Sequence, residues 1–179
     1  MKKNIDLHTH CYESTGDAGP GKNTVRYIID HIKSRGLDGI AVTDHDKSDY
    51  GFRVKDAVER YFPGEVIIIP GQETRIKRQH VVELYLADNL VFKFCAHPLF
   101  GKSFEEFIDK EGENIHGIEI KNGAWQLNEE KVRNVAEKYN LLMLKNSDAH
   151  SINEIGTHYN TIDLQKLYDR CNGNGKKRK

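Results

Sequence analysis

Long hydrophobic runs are missing from this 179-residue sequence; the longest, such as Val66-Ile67-Ile68-Ile69, are far too short to span a bilayer, and mean hydropathy is −0.68. A transmembrane helix is therefore excluded. Met1-Lys2-Lys3 leads into Asn4 and Asp6 rather than into the apolar stretch of a signal peptide, so a cytoplasmic location is expected. Cysteine is scarce as well. Cys11, Cys95 and Cys171 are odd in number and share no CxxC spacing, which argues against both a disulfide framework and a zinc knuckle and leaves reduced thiols. A charge excess is also lacking, because 27 Lys and Arg meet 27 Asp and Glu. Without a global cationic field, binding to long duplexes or to membranes is not expected, and any anionic partner has to be held locally.

What the sequence does have is alternation. Short β-rich runs stand at residues 5–8, 39–43, 66–69, 81–86, 91–95, 117–120 and 141–144, about seven strands in all. Helical patterns fill several of the gaps. Val25, Ile28, Ile29 and Ile32 fall at helical spacing, with Thr24 as a candidate N-cap and Gly36 as a stop; further patterns lie near 52–62, 103–110, 128–139 and 163–170. The succession predicts an α/β fold with a mostly parallel sheet, whose site gathers at the carboxyl ends of the strands. A single domain over residues 1–171 is expected, followed by a disordered basic tail at 172–179.

Histidine is where the chemistry concentrates. Of nine, His8, His10, His45, His80, His97 and His150 lie at or just beyond predicted strand ends, several in Asp6-Leu-His8-Thr-His10, Thr43-Asp44-His45-Asp46 and Ser147-Asp148-Ala149-His150. Residues two apart on a strand face the same way, so two imidazoles of an HxH pair can converge on one ion. Imidazole with carboxylate suits zinc, manganese or iron, and a carboxylate can bridge two ions as a neutral imidazole cannot. Glu73, in Gly71-Gln72-Glu73, is the candidate bridge. Asp6 and Asp44 are expected to fix imidazole tautomers from behind. His31, His116 and His158 sit in no motif and read as ordinary surface or core residues, and Cys11, beside His10 without an evident base, reads as a loop thiol.

Asp6-Leu-His-Thr-His10, Thr43-Asp-His-Asp46, Gly71-Gln-Glu73, Ala96-His-Pro98, Gly117-Ile-Glu-Ile120 and Ser147-Asp-Ala-His150 together resemble, in order, the motifs of the PHP (polymerase and histidinol phosphatase) superfamily. The resemblance runs from Asp6 to about Gly156. It implies a distorted seven-stranded (β/α)7 barrel holding two or three divalent metal ions and hydrolysing phosphoesters. It would put His8, His10, Glu73 and Asp148 on one ion, Glu73, His80 and His97 on a second, and His45 and His150 on a third, with Glu73, Asp148 and His150 as catalytic residues. Where the family follows HxH with a loop that completes the third site, this chain reads Cys11-Tyr-Glu13-Ser-Thr-Gly-Asp17, so Asp17 is the expected loop ligand and Glu13 the alternative.

Metal-activated water requires no Ser or Cys nucleophile. The run Thr74-Arg75-Ile-Lys77-Arg78-Gln79-His80 lies between two of these ligands, so Arg75, Lys77 or Arg78 can reach a substrate phosphate; Asn122, Lys121 and Lys145 are further strand-end candidates. The expected activity is a metal-dependent phosphoesterase acting on a small phosphorylated metabolite, a nucleotide or a nucleic-acid end. The alternatives are a non-catalytic module docking onto a polymerase or another partner, and hydrolysis of a non-phosphate ester or amide.

Overall fold

The computed structural model describes residues 1–16 and 19–173. Eight strands form one sheet: β1 (Lys2–Thr9), β2 (Gly39–Val42), β3 (Ile67–Ile76), β4 (Gln79–Tyr85), β5 (Val91–Ala96), β6 (Gly117–Asn122), β7 (Leu142–Asn146) and β8 (Asn160–Asp163), in the spatial order β7-β6-β5-β4-β3-β2-β1-β8. The sheet is mixed. β1/β2, β2/β3, β5/β6 and β6/β7 run parallel, whereas β3/β4, β4/β5 and β1/β8 are antiparallel. The expected mostly parallel, seven-stranded sheet thus gains a strand, β8, and an antiparallel meander in its middle. The meander turns on Lys77-Arg78, both at positive φ, as a two-residue hairpin requires when its twist matches the flanking strands.

The sheet curls almost closed. Ile5 and Leu7 of β1 share one buried cluster with Val82 and Leu84 of β4, Phe92 and Phe94 of β5 and Leu144 of β7, which only a strongly curved sheet can bring together. The seam is bridged beyond β7, where Asp148 N–H donates to the His8 carbonyl (3.0 Å) and His10 N–H to the Ala149 carbonyl (2.9 Å). That seam sets the motifs Asp6–His10 and Ser147–His150 side by side.

Helices cover the outside. α1 (Cys11–Ser14) is a single turn; α2 (Lys22–Ser34) and α3 (Ser48–Tyr61) bury Val25, Ile28, Ile29, Ile32, Val54 and Val58 in one cluster. α4 (Lys102–Glu111) and α5 (Glu129–Tyr139) bury Phe104, Phe107, Ile108, Val132 and Ala136 against Ile118 and Ile120 of β6. α6 (Gln165–Cys171) adds Leu167. α2 begins earlier than expected: its cap is Gly21, whose carbonyl accepts from Val25 N–H (3.0 Å), so Thr24 lies inside the helix, while Gly36 does stop it at φ +67. No helix among the described residues is long and apolar enough to cross a membrane. Residues 174–179 of the basic tail lie outside the described residues.

Candidate metal centre

At the mouth of the curled sheet the strand ends deliver a buried polar cluster into an otherwise apolar interior. The register of β1 shifts between Asp6 and Thr9, and such a bulge re-aims the side chains beyond it. His8 and His10 accordingly face Glu73 of β3 and Asp148 of the seam, whereas Asp6 turns to the Ser147 hydroxyl (2.5 Å) and the Gly156 N–H (3.0 Å). Gly71 permits the Glu73 approach: a Cβ there would stand 2.5 Å from the Glu83 carbonyl and 3.0 Å from the Thr43 methyl. His97 (φ 24) and Asp148 (φ 53) hold positive φ without being glycine, a strain of about 1–3 kcal/mol each that persists only where the surroundings impose it.

Four donor atoms meet at one point. His8 Nε2 stands 3.2 Å from His10 Nε2, 3.2 Å from Asp148 Oδ1 and 3.4 Å from Glu73 Oε2; His10 Nε2 is 3.0 Å from Asp148 Oδ1 and 3.4 Å from Glu73 Oε2. Ligands about 2.1 Å from a tetrahedral ion are separated by about 3.4 Å, so these spacings match the edges of a coordination shell. Two further groupings adjoin the first: His45, Glu73 and His80, and His10, Glu13, His45 and His150, each with donor atoms within 4.8 Å of one another. Glu73 joins them, since Oε1 is met by His80 Nδ1 (2.7 Å) and His97 Nε2 (3.0 Å), and Oε2 lies 3.2 Å from His45 Nδ1. Among the described residues, the buried His10 Nδ1 and His97 Nδ1 have no hydrogen-bond partner, and Glu73 Oε2 has only imidazole nitrogens as polar neighbours. Such crowding of donor groups fits a divalent cation.

The protonation pattern follows from the neighbours. Burial alone would push the His8 imidazole down, but the Glu119 and Asp148 carboxylates outweigh it and hold His8 well above its ordinary value. For His10 burial, with the neighbouring His8 and His150, outweighs the Asp148 hydrogen bond and the Glu73 charge that favour the imidazolium; it takes the group down to about 4, so the imidazole is neutral near pH 7. Burial opposes ionisation of Glu73 and Asp148, yet hydrogen bonds from His8 and His97 to the first, and from His10 to the second, keep both carboxyls below the usual range. Burial pushes the Cys11 thiol far up, as it does Cys95, so no thiolate nucleophile stands beside the centre.

Glu119, at the middle of β6, had no role on sequence grounds, and it is the hub behind the cluster. Fully buried, its Oε1 accepts from His8 Nδ1 (2.9 Å) and Asn146 Nδ2 (2.7 Å), and its Oε2 from His97 N–H (2.8 Å) and Asn122 Nδ2 (2.8 Å). The tautomer-fixing task expected of Asp6 and Asp44 falls instead to Glu119. Asp44 caps the backbone of the HxH loop, accepting from Tyr12 N–H (2.7 Å), and burial raises both Asp6 and Asp44 to about 6. The clue in the sequence was an acid inside the apolar run Gly117-Ile-Glu-Ile120. Asn146, which also positions Leu7 N–H (3.1 Å), offered none.

The candidates at the rim divide. Arg75 Nη2 donates to His80 Nε2 (3.1 Å), which leaves the His80 proton on Nδ1, facing Glu73. Arg78 sits at the hairpin tip and Lys77 pairs with Glu111 (3.1 Å). Asn122 is committed inside the protein: its amide N donates to Glu119 and Asp148, and its oxygen accepts from Ala124 and Trp125 N–H. Lys121 pairs with Glu129 (3.3 Å), and Lys145 is exposed between the inward-facing Leu144 and Asn146. Glu13 reaches His150 (3.8 Å), while Asp17 lies outside the described residues. His31 caps its own helix turn on the Tyr27 carbonyl, and His116 accepts from Lys93 N–H, both away from the cluster.

A family model described as PHP-associated (PHP_C) matches residues 127–168, from the approach to α5 through β7 and β8 into α6. No curated protein matches the chain in sequence. Among solved structures, it is similar to PsfC from Pseudomonas syringae PB-5123, at 18% identity and TM-score 0.69 over 92% of this chain and 87% of that one. It is also similar to a protein from Bifidobacterium adolescentis ATCC 15703 provisionally called a metal-dependent phosphoesterase, at 13% identity and TM-score 0.71 over 93% and 96%. An amidohydrolase from Chromobacterium violaceum, solved with bound sulfate and no metal, aligns at 16% identity and TM-score 0.65, again over 93% and 96%. At such identities the likeness is one of fold.

Proposed function

We propose that the chain is a member of the PHP superfamily and a metal-dependent hydrolase of phosphoric esters, acting on a small phosphorylated metabolite, a nucleotide or a nucleic-acid end. The observation that carries this reading is the convergence of His8, His10, Glu73 and Asp148 at coordination-shell spacing, with Glu73 shared between that set and His45, His80 and His97. His8, His10, Glu73 and Asp148 would hold one ion, Glu73 with His80 and His97 a second, and His45 and His150 with Glu13 or Asp17 a third. Zinc, manganese or iron suits such mixed nitrogen and oxygen donors. Bound divalent ions would supply a water acidified towards neutrality and would neutralise the phosphoryl oxygens.

The protein's own groups do the rest. Glu119 keeps the His8 proton on Nδ1 and so turns Nε2 towards the cluster. Asn122 steers Asp148 through its 3.2 Å hydrogen bond. Arg75 offers a guanidinium at the rim, suited to the charge of a phosphoryl group and less so to a neutral amide, which favours phosphoester over amide hydrolysis. A module that only docks onto a partner would have no use for a solvent-reachable His45, His80 and His150 around the buried set.

A panel of phosphomonoesters, nucleotides, short DNA and RNA, and simple amides tests the reading on protein as purified and after chelation. Phosphoester turnover that chelation abolishes and metal restores is the expected result. Turnover that survives chelation, or that occurs only on amides, would overturn it.

A further inference from the structure

Trp125 is the sole tryptophan, and it stands beside the cluster with 51% of its surface exposed. One face of its indole lies against the His97 ring (centroids 5.3 Å apart, planes at 21°), and about half of the residue is left exposed. The placement is built rather than incidental. Asn122 Oδ1 accepts from the N–H groups of Ala124 (2.8 Å) and Trp125 (3.0 Å), and Gly123 N–H donates to the Asn146 carbonyl (3.1 Å). Gly123 comes so near the seam that a Cβ would meet the Ser147 carbonyl at 2.3 Å. On the neighbouring strand end, the buried Gln79 clasps Leu99 through both its N–H and its carbonyl (3.1 Å each), leaving the Leu99 side chain 45% exposed next to His97. An open cleft of about 250 Å³ runs from Asn122 past Trp125, bordered by Lys121, Gln126, Glu129 and His158.

A rigid, flat aromatic face fixed to one candidate ligand, with polar groups around it, is the ground on which a planar heterocycle binds. We propose that the outer face of Trp125 is the shelf for the base of a nucleoside phosphate whose phosphate lies over the metal centre. The inference rests on the phosphoesterase reading and narrows its substrate class. Sugar phosphates and inorganic phosphate lack the π-face and gain nothing from the shelf. Gln126 and the Lys121–Glu129 pair border the cleft where donors and acceptors on a base edge would come to lie.

A lone tryptophan makes the shelf its own reporter. Fluorescence is titrated on the metal-loaded protein with AMP, adenosine, ribose 5-phosphate and inorganic phosphate, and kcat/KM is compared for AMP and ribose 5-phosphate in wild type, Trp125→Phe and Trp125→Ala. Saturable quenching by AMP and adenosine alone is expected, with the AMP preference falling about tenfold or more in Trp125→Ala and largely kept in Trp125→Phe. Hydrolysis of both esters without base-dependent quenching, or with an unchanged ratio in Trp125→Ala, would overturn the shelf and leave the phosphoesterase reading standing. Saturable quenching by AMP and adenosine without hydrolysis of any ester would sustain the shelf and remove that reading. The wild-type titration decides the matter even if Trp125→Ala does not fold.

Discussion

Replacing Glu119 by Gln should cripple metal binding although Glu119 touches none of the converging donor atoms at the His8–His10–Glu73–Asp148 point. The carboxylate accepts four hydrogen bonds, from His8 Nδ1, Asn146 Nδ2, His97 N–H and Asn122 Nδ2. A glutamine keeps the shape but has one acceptor oxygen. If that oxygen serves His97 and Asn122, the new NH2 faces two donors, His8 Nδ1–H and Asn146 Nδ2. His8 escapes the conflict by moving its proton to Nε2, which is the nitrogen 3.2 Å from both His10 and Asp148. Its lone pair is then lost to an ion. Loss of such a supporting carboxylate typically lowers metal affinity about 10- to 100-fold, and one buried donor left unpaired costs about 1–3 kcal/mol of stability. The assay is metal affinity by competition with a chelator, alongside urea unfolding of the metal-free protein. An affinity within threefold of wild type, with the fold intact, would refute the argument that Glu119 sets the His8 tautomer.

Acidification bears on the same imidazole. Because Glu119 and Asp148 hold His8 above its ordinary value, the metal-free protein carries a proton there near neutrality, and an ion must displace it. Binding should therefore release about one proton, and affinity should fall about tenfold per pH unit as pH drops below the His8 pKa; calorimetry in buffers of different ionisation enthalpy shows no release if this is wrong. Glu13→Ala should lower metal content by about one ion if Glu13 serves the His45–His150 group, and unchanged content would assign that place to another residue. Arg75→Glu should raise KM for a phosphomonoester more than it lowers kcat, while Arg78→Glu, at the hairpin tip, should do little; equal effects would contradict the division of the basic run.

Local pattern made most of this legible. The β runs at 5–8 and 117–120 fall within strands, and that at 81–86 overruns its strand by one residue, because alternation and β-branched residues are read directly from neighbours; the HxH and DAH motifs mark the ends that meet at the seam. What stayed hidden depends on distant partners. β8 exists only because Asn160–Asp163 pairs antiparallel with the first half of β1, more than 150 residues away, and its four residues carry no strong period of their own. The bulge in β1 separated Asp6 from His8, which strict alternation had put on one face. Gly117-Ile-Glu-Ile120 is among the family-like motifs, but the task of Glu119 shows only when His8, His97, Asn122 and Asn146 gather around it. Arg75 and Arg78 look equivalent in a run of charges, and the hairpin register alone sets Arg75 opposite His80.

Counting metal ions tests the central claim most directly. Elemental analysis of the wild-type protein after metal-replete expression, beside Glu73→Ala and a His116→Ala control, measures whether the converging side chains are a coordination site. At least two ions per chain are expected in wild type and in His116→Ala, with loss of metal and of turnover but not of the fold in Glu73→Ala, whose carboxylate joins the groups. Less than one ion per wild-type chain, or a Glu73→Ala protein that keeps both its metal and its activity, would contradict it.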